Sequence, residues 1–331
     1  MPDLSLPAGL TARPIHPDDV PALAELLAAA EAVDDTGEHE GAEDLRGWWV
    51  NELVDLDQDT RVVLDGDGAP VAFATAIAPP TFRDAYGVHL EGRVHPDRRG
   101  RGIGRALLDW QLARGAQVHA ERHPEAPARL TVTAYTSMPD LEALARRAGL
   151  EPVRWFHHME RPLTDLPEPR AVPGVDLVPF TWDRDDEVRR AHNAAFTEHY
   201  GSSERDEASW RVMFTGQQGF RPDLSVLAVE DGAVLAYALS YVSETAASAT
   251  GSRESYFGQI GVVPQARGRG LSKAVIAQAL RAAAAGGCQT AGLQVDSENV
   301  TGALGLYESL GFATARTQVS WSRLLGPVAG G

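Results

Sequence analysis

Residues 262–276 read "VVPQARGRGLSKAVI", which runs from the end of an apolar strand through Pro264 and an arginine- and glycine-rich turn into the first turns of a helix. Glycines let consecutive N–H groups of such a turn converge on one point. At a helix start, orphan donors and the positive end of the dipole then favour an anion. The segment is repeated: the turn lies 168 positions earlier in "RVHPDRRGRGIGRALL", residues 93–108. The apolar positions behind it agree as well. Ile103, Leu107, Leu108 and Leu112 correspond to Leu271, Val275, Ile276 and Leu280, the face of an amphipathic helix that packs on a sheet.

Working outward, each copy reads in the same order. An opening strand, "GLTARPI" or "VDLVPFT", precedes a helical region, and then come two apolar runs joined by a polar turn, with Gly66 and Gly68 in the first half and Asp231 and Gly232 in the second. That is the signature of a hairpin. After the quoted helix follow a strand, "ARLTVTAY" or "TAGLQVD", and a helix that ends at Gly149 or Gly311, glycine being the usual residue past a helix end. Pro162, Pro167, Pro169 and Pro173 break the chain between the copies. The expected organisation is an α/β (α+β) protein with two domains, 8–162 and 174–325, joined by a linker at 163–173, each with a mixed, mostly antiparallel sheet flanked by helices.

Composition narrows the function. A net charge of −16 over 331 residues argues against a nucleic-acid partner, because such affinity comes mainly from cationic contacts to phosphate, and it suits a cationic amine. No apolar run is long enough to span a membrane and the N-terminus lacks the pattern of a signal peptide, so a soluble cytoplasmic protein, monomer or homodimer, is expected. The lone Cys288 excludes internal disulfides and clustered-cysteine metal sites. It reads as a packed residue, with a reactive thiol as the alternative. No metal is expected, since His157 and His158 are neighbours in a strand and point to opposite faces.

The turn has neither the Gly-Lys-Ser/Thr ending of a Walker loop nor the GxGxxG of a dinucleotide fold. It resembles the acyl-CoA loop of the GNAT superfamily of N-acetyltransferases, Q/R-x-x-G-x-G/A, which Gln265-Ala266-Arg267-Gly268-Arg269-Gly270 fits throughout. Asp97 to Gly102 keeps both glycines but not the leading Gln or Arg. The resemblance extends to "NVTGALGLYESLGF", residues 299–312, and the doubled chain is similar to the tandem proteins of that superfamily. It implies acetyl-CoA as co-substrate, with the pantetheine arm along Ile260, Gly261 and Val262 and the phosphates on Arg267, Gly268, Arg269, Gly270, Leu271 and Ser272. Flanking arginines would add charge for the diphosphate. A second such site would comprise Val94, Arg99, Gly100, Arg101, Gly102, Ile103 and Gly104.

Acyl transfer from a thioester needs a deprotonated amine and something to receive charge on the departing sulfur. By the family pattern Asn299 contacts the acyl-CoA and the Tyr307 hydroxyl lies near the sulfur. Aligning Gly149 on Gly311 places Ser137 under Asn299 and Ala145 under Tyr307, so the N-terminal copy is expected to be catalytically silent. Unperturbed, a tyrosine is a weaker acid than a thiol by roughly 2 kcal/mol. Tyr307 is therefore either tuned downward or a hydrogen-bond donor to developing charge. The base is open: many family members carry a glutamate eight residues before the position of Pro264, where this chain has Tyr256, and Glu254 lies two residues earlier on the same strand face. Phe196, His199, Tyr200 and Trp210 offer a mixture suited to an acceptor pocket, and equally suited to packing. The resulting expectation is acetyl transfer to a small-molecule primary amine in the C-terminal domain. The competing reading is a non-catalytic acyl-CoA sensor or scaffold.

Overall fold

The computed structural model describes residues 4–50, 54–79, 81–197, 203–298 and 302–328. Two compact units emerge: unit 1 is discontinuous, Met1–Trp155 with Gln318–Gly331, and unit 2 is the continuous segment Phe156–Thr317.

Unit 1 begins β1 (Thr11–Arg13), α1 (Val20–Asp34), α2 (Ala42–Trp49), α3 (Leu56–Asp59), β2 (Thr60–Leu64), β3 (Pro70–Ile77), β4 (Tyr86–Val94), α4 (Ile103–Arg122), β5 (Ala128–Tyr135) and α5 (Pro139–Arg147). The first four strands pair antiparallel in order, and β4 runs parallel to β5. The strand β6 (Glu151–Pro162) then carries the chain across the unit boundary. Unit 2 continues β7 (Asp176–Pro179), α6 (Asp185–Ala195), α7 (Glu207–Trp210), β8 (Val226–Glu230), β9 (Ala233–Tyr241), α8 (Glu244–Thr250), β10 (Glu254–Val262), α9 (Leu271–Ala285), β11 (Thr290–Asp296) and α10 (Ala303–Ser309), and the chain ends on β12 (Ala313–Leu325). Asp231 and Gly232, with φ of 49° and 85°, make the tight β8–β9 turn read from the sequence.

The last strands are exchanged. Residues 156–162 of β6 pair antiparallel with β11 in unit 2, and residues 318–325 of β12 pair antiparallel with β5 in unit 1. The contiguous domains 8–162 and 174–325 are corrected accordingly. Burial drives the exchange: Met159 is fully buried in the core of unit 2, and Val319 and Trp321 lie in that of unit 1. The linker at 163–173 is no free spacer, since Leu163, Leu166 and Val172 pack on unit 2 and Arg281 donates to the Pro167 carbonyl. Among the described residues no helix is long and apolar enough to cross a membrane.

Candidate active site

In unit 2 the phosphate turn is built as the sequence suggests. Gly268 and Gly270 have φ of 79° and 83°, a left-handed conformation that glycine adopts without steric cost. The first backbone bond of α9 joins the Ala274 N–H to the Gly270 carbonyl, so the amides ahead of it have no acceptor within the helix. A Cβ at Gly268 or Gly270 would meet nothing within 4 Å; the cradle is open, and its free amides fit a diphosphate. The side chains of the flanking arginines have partners within the unit. Arg269 forms a two-pronged ion pair with Glu230 at 2.6 and 2.9 Å, and Arg267 donates to the Ala195 carbonyl at the end of α6. Both fasten the turn to its surroundings.

Upstream of the cradle β10 leaves its neighbour. It pairs with β11 at Glu254, Ser255 and Tyr256 alone, and a bulge between Phe257 and Gln259 shifts its register on β9. Bulges re-aim a strand and end pairing. The edge from Phe257 to Val262, with Ile260, Gly261 and Val262, is thereby left off β11 and can bond an extended ligand arm. Gly261 is required here by close approach, because a Cβ would come within 2.5 Å of the Tyr237 hydroxyl. Tyr237 is itself buried and lies 2.8 Å from His192 Nδ1. Burial raises the Tyr237 pKa well above its usual value, so its hydroxyl is protonated.

Tyr307 is the buried residue of α10, 8% exposed, and meets Phe312 edge-on at 6.2 Å. Burial pushes its pKa up to about 12. Of the two roles open to it, the structure favours the neutral hydrogen-bond donor over the tuned acid. Asn299, His199 and Tyr200 lie outside the described residues. Of the other pocket residues, Phe196 stacks on His192 at 4.4 Å. Trp210 is corrected to a core residue: it is 1% exposed and its ring N–H bonds Asp185 at 2.6 Å. Cys288 is packed as expected, against Leu224, Val242 and Ala283, and burial raises its thiol.

Glu254 does not stand alone. A carboxylate oxygen of Glu254 lies within 4.8 Å of a ring nitrogen of His158 and a carboxylate oxygen of Glu160, and Tyr256 stacks on His158 with centroids 5.8 Å apart and planes 6° apart. Strand pairing explains the gathering, because Gly292 of β11 faces Tyr256 on one side and Glu160 on the other. With no side chain at Gly292 the Glu254 carboxyl lies over it; a Cβ there would be 2.7 Å from that group. Glu160 bonds Arg316 at 2.7 Å and approaches His158 Nε2 at 3.2 Å. The hydrogen bond with His158 holds the Glu160 carboxyl below its ordinary range. Burial raises that of Glu254, with Glu160 adding to the rise and His158 and Arg316 opposing it. Sequence reasoning missed His158 and Glu160, which lie on the exchanged strand.

Unit 1 keeps the cradle. Gly100 and Gly102 have φ of 73° and 89°, and Ala106 N–H bonds the Gly102 carbonyl. Arg99 binds Asp34 at 2.6 and 2.8 Å and also the Val94 carbonyl; among the described residues Arg101 reaches only the Asp97 carbonyl. Ile103 is buried, and Gly104 packs near Val94 and Leu144. Ala145 is fully buried at the site of Tyr307: Leu150 N–H bonds the Ala145 carbonyl just as Phe312 N–H bonds that of Tyr307.

Comparison with known proteins agrees with this construction. The model of the acetyltransferase (GNAT) family matches residues 22–129 and again 186–312. The chain belongs to the GNAT acetyltransferase family. It is similar to the mycothiol acetyltransferase of Frankia casuarinae, 34% identical over 92% of this chain and 95% of that protein, and to that of Streptomyces coelicolor, 31% identical over 94% and 97%. Among solved structures, a GCN5-related N-acetyltransferase from Sphaerobacter thermophilus matches with a TM-score of 0.76 at 26% identity, covering 98% of each chain. A tandem GNAT protein from the clavulanic acid biosynthesis pathway shares the fold, with a TM-score of 0.69 at 21% identity over 96% of this chain and 99% of that one. The protein is thus an acyl-CoA-dependent acetyltransferase with acetyl-CoA as co-substrate.

Proposed function

We propose that unit 2 transfers the acetyl group to a small-molecule primary amine and that unit 1 performs no transfer. The carrying observation is the pair of equivalent helix positions, Tyr307 on α10 in unit 2 and Ala145 on α5 in unit 1. Acetyl-CoA supplies the acyl group as an activated thioester. The chain's own residues do the rest: the amides from Gly268 to Ser272 hold the phosphates, the Arg267 N–H being bonded to the Pro264 carbonyl, the edge from Ile260 to Val262 aligns the arm, and Glu254 takes a proton from the amine. Tyr307 donates its hydrogen bond to the charge that grows on sulfur.

The name of the relatives at 30–34% identity makes the amine acetylated in mycothiol formation the first acceptor to test. Tyr256, where many family members carry a glutamate, counts against an identical acceptor. An unbiased experiment decides: the protein is incubated with acetyl-CoA and a host metabolite extract, and mass spectrometry finds the species that gains an acetyl group. Acetyl-CoA binding with no acetylated product from any amine would leave a sensor or scaffold as the better reading.

A further inference from the structure

The exchanged strand brings to unit 2 a histidine and a carboxylate that the family's loop motif does not contain. His158 and Glu160 alternate along β6 on the face where Glu254 and Tyr256 lie on β10, and Gly292 between them leaves the space in which the three polar groups meet. The same positions in unit 1 carry no such set. There Thr131 of β5 takes the place of Gly292, pairing with His89 and Ser322, and Ser320 lies where unit 2 has His158.

We propose that His158, fixed by Glu160, is a positioning residue that readies the Glu254 carboxylate to take the proton of the acceptor amine. The inference rests on unit 2 being the transferring unit. In the step concerned, the ammonium N–H bond breaks, the proton lands on a Glu254 oxygen, and the electron pair left on nitrogen forms the new C–N bond. The C–S bond breaks with its pair going to sulfur, and the second proton shed by nitrogen balances the one that sulfur acquires beside Tyr307.

A buried carboxyl is a poor proton acceptor unless its charged form is stabilised. The charged and titratable groups facing Glu254 are His158 and Glu160 from β6, Arg316 from β12 and Tyr256 from its own strand. Of these, His158 and Arg316 favour the carboxylate, and Glu160 holds both in place by its bonds to them. Tyr256, stacked on the imidazole, closes the other side of the ring.

The full chain, labelled with carbon-13 at the glutamate carboxyls, is titrated by NMR, and the Glu254 signal is assigned by its loss in Glu254→Gln. The expected midpoint lies above that of an ordinary glutamate. His158→Gln removes the imidazole that opposes the rise and raises the midpoint by about half a pH unit or more, whereas His158→Arg, which puts a guanidinium there, does not. If His158→Gln fails to fold, Arg316→Gln removes the guanidinium that also opposes the rise and must raise the midpoint likewise. An unmoved midpoint in the neutralised variant, or an equal rise in His158→Arg, overturns the proposal. No acceptor is needed for this titration, so its failure is separable from that of the transfer reading. An ordinary Glu254 midpoint with transfer intact defeats the positioning role alone. Absence of transfer on every amine defeats the function and leaves the titration standing.

Discussion

Units 1 and 2 share a turn with two left-handed glycines and differ in the strand that leads into it and in the second helix beyond it. β10 has six residues, Phe257 to Val262, beyond its pairing with β11, and a bulge among them; β4 has four, Glu91 to Val94, beyond its pairing with β5, and no register shift on β3. Gln259 and Gly261 of the open edge are replaced by Glu91 and Arg93, by the shared register on β9 and β3. Arg93 lies 3.6 Å from Glu38, whose carboxylate accepts from the Tyr135 hydroxyl. The glycine-rich turn is thus common to both units, whereas the wider gap and the tyrosine at the helix position belong to unit 2. Anion binding needs only backbone amides, whereas transfer needs a strand that departs from its neighbour and a hydroxyl at its end.

The largest effect expected is on the hydroxyl. Tyr307→Phe should lower kcat about a hundredfold while the Kd for acetyl-CoA, read by calorimetry, stays nearly constant. The reciprocal change, Ala145→Tyr, should not give unit 1 a turnover. Ala145 is fully buried, and a tyrosine there overpacks the core at a cost of about 1–3 kcal/mol. Wild-type turnover by Tyr307→Phe would remove the main distinction between the units.

Second comes the cradle itself. Replacing Gly268 and Gly270 by alanine, or Gly100 and Gly102, forces Cβ atoms into left-handed backbone where space is not limiting. Each residue costs roughly 1–2 kcal/mol, so both double variants should lose similar stability in thermal melts. Only the unit 2 variant should raise the KM for acetyl-CoA, by about tenfold or more. Equal loss of turnover in a folded unit 1 variant would show that the first cradle takes part in the chemistry.

What the sequence reveals of this comparison follows from how local each feature is. Turn, helix face and helix-end glycine lie within a few residues of one another, so Arg267 to Ser272 and the contrast of Tyr307 with Ala145 are readable directly. Strand exchange is not. β6 and β12 each end a half with the same alternating pattern, and nothing local to Met159 or Trp321 says which sheet buries it. His158 and Glu160 are therefore hidden, since their relation to Glu254 passes through pairing with β11 rather than through spacing. Trp210 fails for a related reason: aromatic residues on an amphipathic segment serve a pocket or a core equally well, and the decision falls to the bond with Asp185.

A smaller effect concerns the acidic cluster of unit 1. Burial, with Glu91, Glu38 and Asp44 nearby and Arg93 opposing, pushes the Glu40 carboxyl up to about 8. A folded-state pKa above the unfolded value means that the native protein holds a proton the unfolded chain releases, so stability declines as pH rises from about 4.5 to about 8. Glu40→Gln should relieve this penalty by about 1 kcal/mol at pH 8, a value reduced because solvent reaches part of the group. Near pH 4.5 it should leave the melting temperature almost unchanged. A variant equally stabilised at both pH values would place the effect in packing rather than in charge. Unit 2 has no counterpart to it at Gln259, which carries no charge.

The smallest effect tests whether Arg269 fastens the turn or binds phosphate. Glu230 holds it by a two-pronged pair that is open to solvent and drawn below the usual carboxylate range by the Arg269 hydrogen bond. In Glu230→Gln the guanidinium is released and can swing toward a bound diphosphate. Exposed pairs contribute little to stability, so the melting temperature should barely move. Affinity for acetyl-CoA should rise by no more than about threefold at low salt, and the gain should vanish near 0.5 M salt, where screening falls to a few ångströms. A loss of affinity instead would mean that the ion pair shapes the cradle and that the amides bind only in the geometry it imposes. Unit 1 supplies the control, because among the described residues its matching Arg101 has no acidic partner of this kind and bonds a carbonyl. Arg101→Gln should alter turnover not at all if the first cradle has no part in transfer.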